Sequence, residues 1–95
     1  MKQNQNHPKF LLSETDINIK VHNLVYYYSS NRVNDPLDQM IFPLLPDYTL
    51  CIDVEYFAKL AVEYEIQEVP SLVILDKGKV QSLLTGPKII EFLEL

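Results

Sequence analysis

The chain of 95 residues has one cysteine, Cys51, and no tryptophan. A single cysteine excludes an intramolecular disulfide and any zinc site built on paired thiolates. It suits a reducing compartment, so a cytoplasmic location is expected. The two histidines, His7 and His22, stand at no helical spacing from a pair of carboxylates, so no metal site and no cofactor are expected. Lysine and arginine number 8 against 13 aspartates and glutamates, a formal net charge of −5, and no two basic residues are adjacent. Nucleic acids and anionic membranes call for a basic face, and the chain shows none. No segment approaches the ~18 continuous apolar residues of a membrane helix. The opening MKQNQNHPKF has no apolar stretch of signal-peptide length, and no secretory signal is expected.

What is present is apolar content of 47%, enough for one core in one domain. Residues 1–8 are polar and amide-rich and read as a flexible tail; residues 9–95 read as a single domain. Residues 9–22 admit two readings: a short edge strand at Phe10, Leu11 and Leu12 then a short helix opened by Ser13, which is preferred, or a strand through the alternating Ile17, Ile19 and Val21. Leu24–Tyr28 is an unbroken run of β-favouring residues, the pattern of a strand covered on both faces. Ser29–Asp35 is loop chemistry. Pro36–Leu45 is predicted as one helix capped by Asp35, kinked at Pro43 and ended by Pro46.

Tyr48–Val54 is a second buried strand. Residues 54–64 are predicted as a helix, with Phe57, Leu60, Ala61 and Tyr64 at i, i+3, i+4 and i+7. Ser71–Leu75 and Val80–Leu84 are strands joined by a hairpin turn at Asp76–Lys79, where Gly78 is free to take positive φ. Thr85, Gly86 and Pro87 open a last helix that faces Ile89, Ile90 and Leu93 inward. Alternation followed by a terminal hairpin implies an α/β protein with a mixed sheet and helices on both faces.

The stretch AVEYEIQEVPSLVILDKGKV, followed by Gly86 and a last helix ending EFLEL, resembles the C-terminal half of thioredoxin. The resemblance is densest at Tyr64-x-Ile66-x-x-Val69-Pro70-Ser71-Leu72, strong over residues 50–95, weaker over 23–46, and before residue 23 a matter of element order alone. It implies a three-layer α/β/α thioredoxin-like domain with four to five strands. It also implies a cis bond between Val69 and Pro70. In that family the backbone before this proline pairs with an extended client segment, which is strand addition, and the glycine matching Gly86 lets the client approach.

The family's disulfide exchange needs two cysteines, spaced Cys-x-x-Cys, at the start of the helix after the central strand. Counting forward from Tyr28 reaches Arg32 for the first cysteine, and counting back from Pro43 reaches Asp38 for the second. The segment SSNRVNDPLDQM, residues 29–40, holds no cysteine. By the same resemblance Tyr26 replaces a buried carboxylate and Cys51 replaces the lysine that pairs with it. The resemblance therefore implies the fold without the dithiol chemistry.

The residues expected to converge at one end of the sheet are Arg32, Val33, Val69, Pro70, Ser71, Thr85 and Gly86. They form a candidate edge for binding a protein or an extended peptide, against the plainer reading of a vestigial surface. The alternative function is a monothiol oxidoreductase or redox sensor at Cys51. A thiol in the middle of an apolar strand more often behaves as a small hydrophobe. Tyr26, Tyr27 and Tyr28 read as core, Asp35 and Asp38 as capping and turn residues, and Glu63, Glu65 and Glu68 as a solvated acidic surface. A homodimer through an exposed apolar patch at Ile41, Phe42, Leu44 and Leu45 is a further expectation.

Overall fold

The structure, a computed structural model, describes residues 9–11, 21–32 and 35–95. The predicted tail at 1–8, the predicted helix within 12–20, and Val33 lie outside the described residues. Five strands form one sheet: β1 (Lys9–Phe10), β2 (Leu24–Tyr28), β3 (Leu50–Asp53), β4 (Ser71–Asp76) and β5 (Lys79–Thr85). Their order in space is β1-β3-β2-β4-β5. The first three run parallel, β4 adds antiparallel to β2, and β5 adds antiparallel to β4.

The central position of β2 follows from its composition. LVYYY offers side chains that pack on both faces, and Leu24, Val25, Tyr26 and Tyr27 are all buried. Strand alternation sorts them. Val25 and Tyr27 join Leu50, Ile52, Val73 and Leu75 on one face, covered by α2 (Ala58–Glu63). Leu24 and Tyr26 join Cys51 and Leu72 on the other face. That face is covered by α1 (Pro36–Ile41) and α3 (Pro87–Leu93) through Ile41, Leu45 and Ile89. The result is the expected α/β/α arrangement around a mixed sheet. Phe10, Tyr26, Tyr28 and Phe42 form an aromatic cluster with centroid separations of 5.3–6.4 Å, which ties β1 and the end of α1 to β2.

The hairpin between β4 and β5 is a two-residue turn at Lys77 and Gly78, with φ of 54° and 83°. Both residues are left-handed, which suits the right-handed twist of the flanking strands. Ile74 pairs with Ser82 and Leu75 with Val80, so Gln81 is the extra residue of a bulge on β5.

Three predicted elements are corrected. The helix expected over Pro36–Leu45 stops at Ile41 and tightens into a 3-10 turn at Phe42–Leu44, because Pro43 has no N–H for the α pattern. The helix expected over 54–64 is only Ala58–Glu63. Phe57 is non-helical, and the Asp53 carbonyl draws in the N–H groups of Tyr56 and Phe57 at 3.1 and 3.0 Å, making a turn of residues 54–57. Its apolar positions still pack as predicted, with Phe57, Leu60, Ala61 and Tyr64 in one cluster. The strand expected over Tyr48–Val54 is Leu50–Asp53.

The apolar patch expected at Ile41, Phe42, Leu44 and Leu45 is not a surface. Ile41 and Leu45 are fully buried under α3, and Phe42 is half-buried in the aromatic cluster.

Ile89 is the buried anchor of α3. Ile89→Ala is expected to cost about 2–5 kcal/mol in urea unfolding, a large share of a small domain's stability. A loss below about 1 kcal/mol would mean that α3 is not docked through this residue.

Candidate functional site

The end of the sheet where β2 finishes and β4 begins is held by carboxylates. The Asp53 carboxylate, buried at the end of β3, accepts the N–H groups of Ser30 (3.1 Å) and Glu55 (3.0 Å). The Ser29 hydroxyl donates to Glu55 Oε2 at 2.5 Å and accepts the Asn31 N–H at 3.2 Å. These bonds fold Ser30–Arg32 into a 3-10 turn and deliver the chain to Asp35, whose side chain caps α1 by accepting the Leu37 N–H at 2.9 Å. The anchoring by Asp53 and Glu55 was not foreseen. Their charge was legible, but Glu55 falls inside the helix expected over 54–64, and the turn at 54–57 redirects it.

Across this turn stands the other half of the site. The Val69–Pro70 peptide bond is cis. Arg32 Nη1 donates to the Val69 carbonyl at 3.2 Å, and Arg32 Nη2 pairs with the Asp35 carboxylate at 2.8 Å. Arg32 and the Leu37 N–H both stabilise the Asp35 anion, the latter more, and hold its carboxyl below the usual range. The Ser71 hydroxyl donates to the Glu68 carbonyl, Ser71 is registered with Thr85, and the Gly86 N–H reaches the Pro70 carbonyl at 3.5 Å. Arg32, Val69, Pro70, Ser71, Thr85 and Gly86 therefore meet at one edge.

The Val69 N–H has no acceptor among the described residues. Gly86 has φ 59° and ψ −141°, a conformation that excludes a side chain on steric grounds, and no atom lies within 4 Å of where its Cβ would stand. Two recesses flank the edge. One of about 180 Å³ is lined by Val54, Ala61, Ile66, Gln67, Glu68 and Val69. The other, of about 370 Å³, includes Tyr64, Leu83, Ser71 and Thr85. His22 lies at the opposite end of β2, where it lines a separate cavity of about 220 Å³.

Beneath the edge is a polar pair inside the core. The Tyr26 hydroxyl donates to Asp38 Oδ1, and both residues are buried. Burial, the bond itself and the Asp38 charge all push the Tyr26 phenol up, so it remains a donor. For Asp38, burial outweighs the bond from Tyr26 and raises the carboxyl above its ordinary value. The sequence reading of Asp38 as a turn residue missed this bond. Tyr27 donates to the Leu60 carbonyl at 3.2 Å, so its hydroxyl is also satisfied.

Cys51 pairs in register with Tyr26 and is fully buried. Desolvation pushes its thiol up to about 12, which leaves a negligible thiolate fraction at neutral pH. Among the described residues there is no group of three or more side chains suited to a metal ion, and no helix long and apolar enough to cross a membrane.

The architecture has close counterparts among solved structures. A mutant thioredoxin from Halobacterium salinarum superposes with a TM-score of 0.66 at 16% identity, covering 99% of this chain and 91% of its own. The thioredoxin of Malassezia sympodialis gives 0.67 at 16%, covering 99% and 95%. That of Nicotiana alata gives 0.67 at 16%, covering 99% and 93%. The fold is thioredoxin-like. No protein-family model matches the chain, and no curated protein matches it in sequence. At such identities the thioredoxin-like match carries the backbone plan, and the side chains at the edge are this chain's own.

The buried carboxyl makes stability depend on pH. Folded Asp38 holds its proton at pH values where the unfolded chain has released it, so stability falls as pH rises through the raised value. Asp38→Asn keeps an acceptor for Tyr26 but cannot ionise. Its stability relative to the parent is expected to improve in urea titrations as pH rises above the ordinary carboxylate value. A relative stability that worsens over that range would contradict a buried, proton-holding Asp38.

Proposed function

We propose that this chain is a redox-inactive thioredoxin-like domain that works by binding, as an adaptor or accessory protein that holds an extended segment of a partner against the Val69–Pro70 edge. The observation that carries this reading is the edge itself. Val69 presents its backbone at the start of β4 with Ser71, Thr85 and Gly86 alongside, as strand addition requires. The adjoining recess lined by Val54, Ala61, Ile66 and Val69 favours an aliphatic side chain in the bound segment.

The absence of redox activity is part of the proposal. Two-thiol exchange lacks its second sulfur, since Cys51 is the only cysteine in the sequence. A monothiol mechanism at Cys51 draws no support from a fully buried thiol held up near 12. The single unpaired cysteine suits a reducing compartment, and the cytoplasm is the proposed location.

Two measurements test the reading. In a dithiothreitol-driven insulin reduction assay the chain is expected to match the protein-free rate, unchanged by Cys51→Ser. Turnover that depends on Cys51 would overturn redox inactivity. In NMR titrations with blocked extended pentapeptides bearing a central Leu or Val, amide shifts are expected at Val69, Ser71, Thr85 and Gly86. Shifts confined to the outer edge of β5, or none at millimolar peptide, would overturn the docking edge.

A further inference from the structure

The docking edge is half open and half occupied. Strand addition at one residue uses both its N–H and its carbonyl. The Val69 N–H is unclaimed among the described residues, but the Val69 carbonyl is already taken by the Arg32 guanidinium at 3.2 Å. Arg32 is therefore a built-in occupant of the acceptor that a partner segment needs.

We propose that Arg32 is a removable latch on this edge: it occupies the Val69 carbonyl in the free chain, and an extended segment docks by displacing it. The inference rests on the docking reading above and adds to it how the edge is kept closed. The latch is tethered on one side and weak on both. Its other nitrogen is held by Asp35 at 2.8 Å, and Asp35 is fixed as the cap of α1, so the guanidinium stays at the edge when it is displaced. The Arg32 side chain is 52% exposed, and exposed pairs of this kind are weak and screened by salt.

The displaced guanidinium keeps its ion pair with Asp35 and regains water, while the carbonyl exchanges a side-chain donor for a backbone one. A partner must therefore supply an N–H at that point, which excludes proline from the pairing position. The surrounding charge sharpens the role. Glu55, Glu68 and Asp35 stand at this end with Arg32 among them, and a cation on the edge carbonyl keeps it from being a bare acceptor beside a cluster of anions.

The experiment uses the full chain and the same blocked pentapeptides, with affinities taken from NMR titration of wild type, Arg32→Ala and Asp35→Asn. Asparagine preserves the helix cap while removing the charge that tethers Arg32. Arg32→Ala is expected to bind about three- to tenfold tighter than wild type, with Asp35→Asn between them. Methylation of the peptide nitrogen at the pairing position should erase the gain. Higher ionic strength should narrow the gap between wild type and Arg32→Ala.

Equal or weaker binding by Arg32→Ala, with wild type still binding, would overturn the latch and leave the docking edge standing, with Arg32 as a ligand contact. No binding by any variant, all shown folded by their amide spectra, would overturn the docking reading and the latch with it.

Discussion

A hydroxyl in the centre of β2 and a carboxyl in the first turn of α1 share one buried hydrogen bond, and the upper end of this domain is organised around it. Both Tyr26 and Asp38 are buried, so each depends on the other, and removing one partner would leave a buried polar group at a cost of about 1–3 kcal/mol. The bond fixes where α1 starts relative to the sheet. From there a chain of contacts runs outward: Asp38 lies one turn from the cap Asp35, Asp35 holds Arg32, and Arg32 reaches the Val69 carbonyl. Core packing, helix placement and the state of the edge are thus linked through named side chains.

The same arrangement decides where the chain's one thiol sits relative to this end of the sheet. Where a reactive loop would need an exposed thiolate, the chain has a turn pinned by Asp53 and Glu55 at its start and Asp35 at its end. The one thiol is on the neighbouring strand, packed against Tyr26 and Leu72 in the core. Its sulfur contributes as a small apolar group, and among the described residues nothing on that face stabilises a thiolate. The edge itself is built of backbone: Val69 at the start of β4, a glycine whose conformation no other residue adopts cheaply, and recesses on the α2 side of the sheet.

Much of the fold was legible because the strands advertise themselves. LVYYY and SLVIL are runs that only a two-sided burial explains, and the Lys77-Gly78 turn with Thr85-Gly86-Pro87 placed the hairpin and last helix correctly. The errors share a cause, namely local carbonyl and proline effects that periodicity does not register. Pro43 converts a helix end into a 3-10 turn, and the Asp53 backbone turns residues 54–57 out of the predicted helix. At the edge, the convergence of Arg32 with Val69, Pro70, Ser71, Thr85 and Gly86 was legible from element order. The bonds that decide its state were not. Arg32 to Val69, Ser29 to Glu55 and Tyr26 to Asp38 span 37, 26 and 12 residues, and side-chain pairings at such separations leave no local trace in a single sequence.

The central claim is that this domain keeps a thioredoxin-like frame with its sulfur withdrawn into the core. The most direct test is the rate at which Cys51 reacts with a thiol-specific reagent, in the native chain and in the urea-unfolded chain at the same pH. Full burial and a thiol held up near 12 predict a native rate slower by orders of magnitude, limited by opening of the fold. A native rate equal to or above the unfolded one would contradict the account and return Cys51 to the centre of the chemistry.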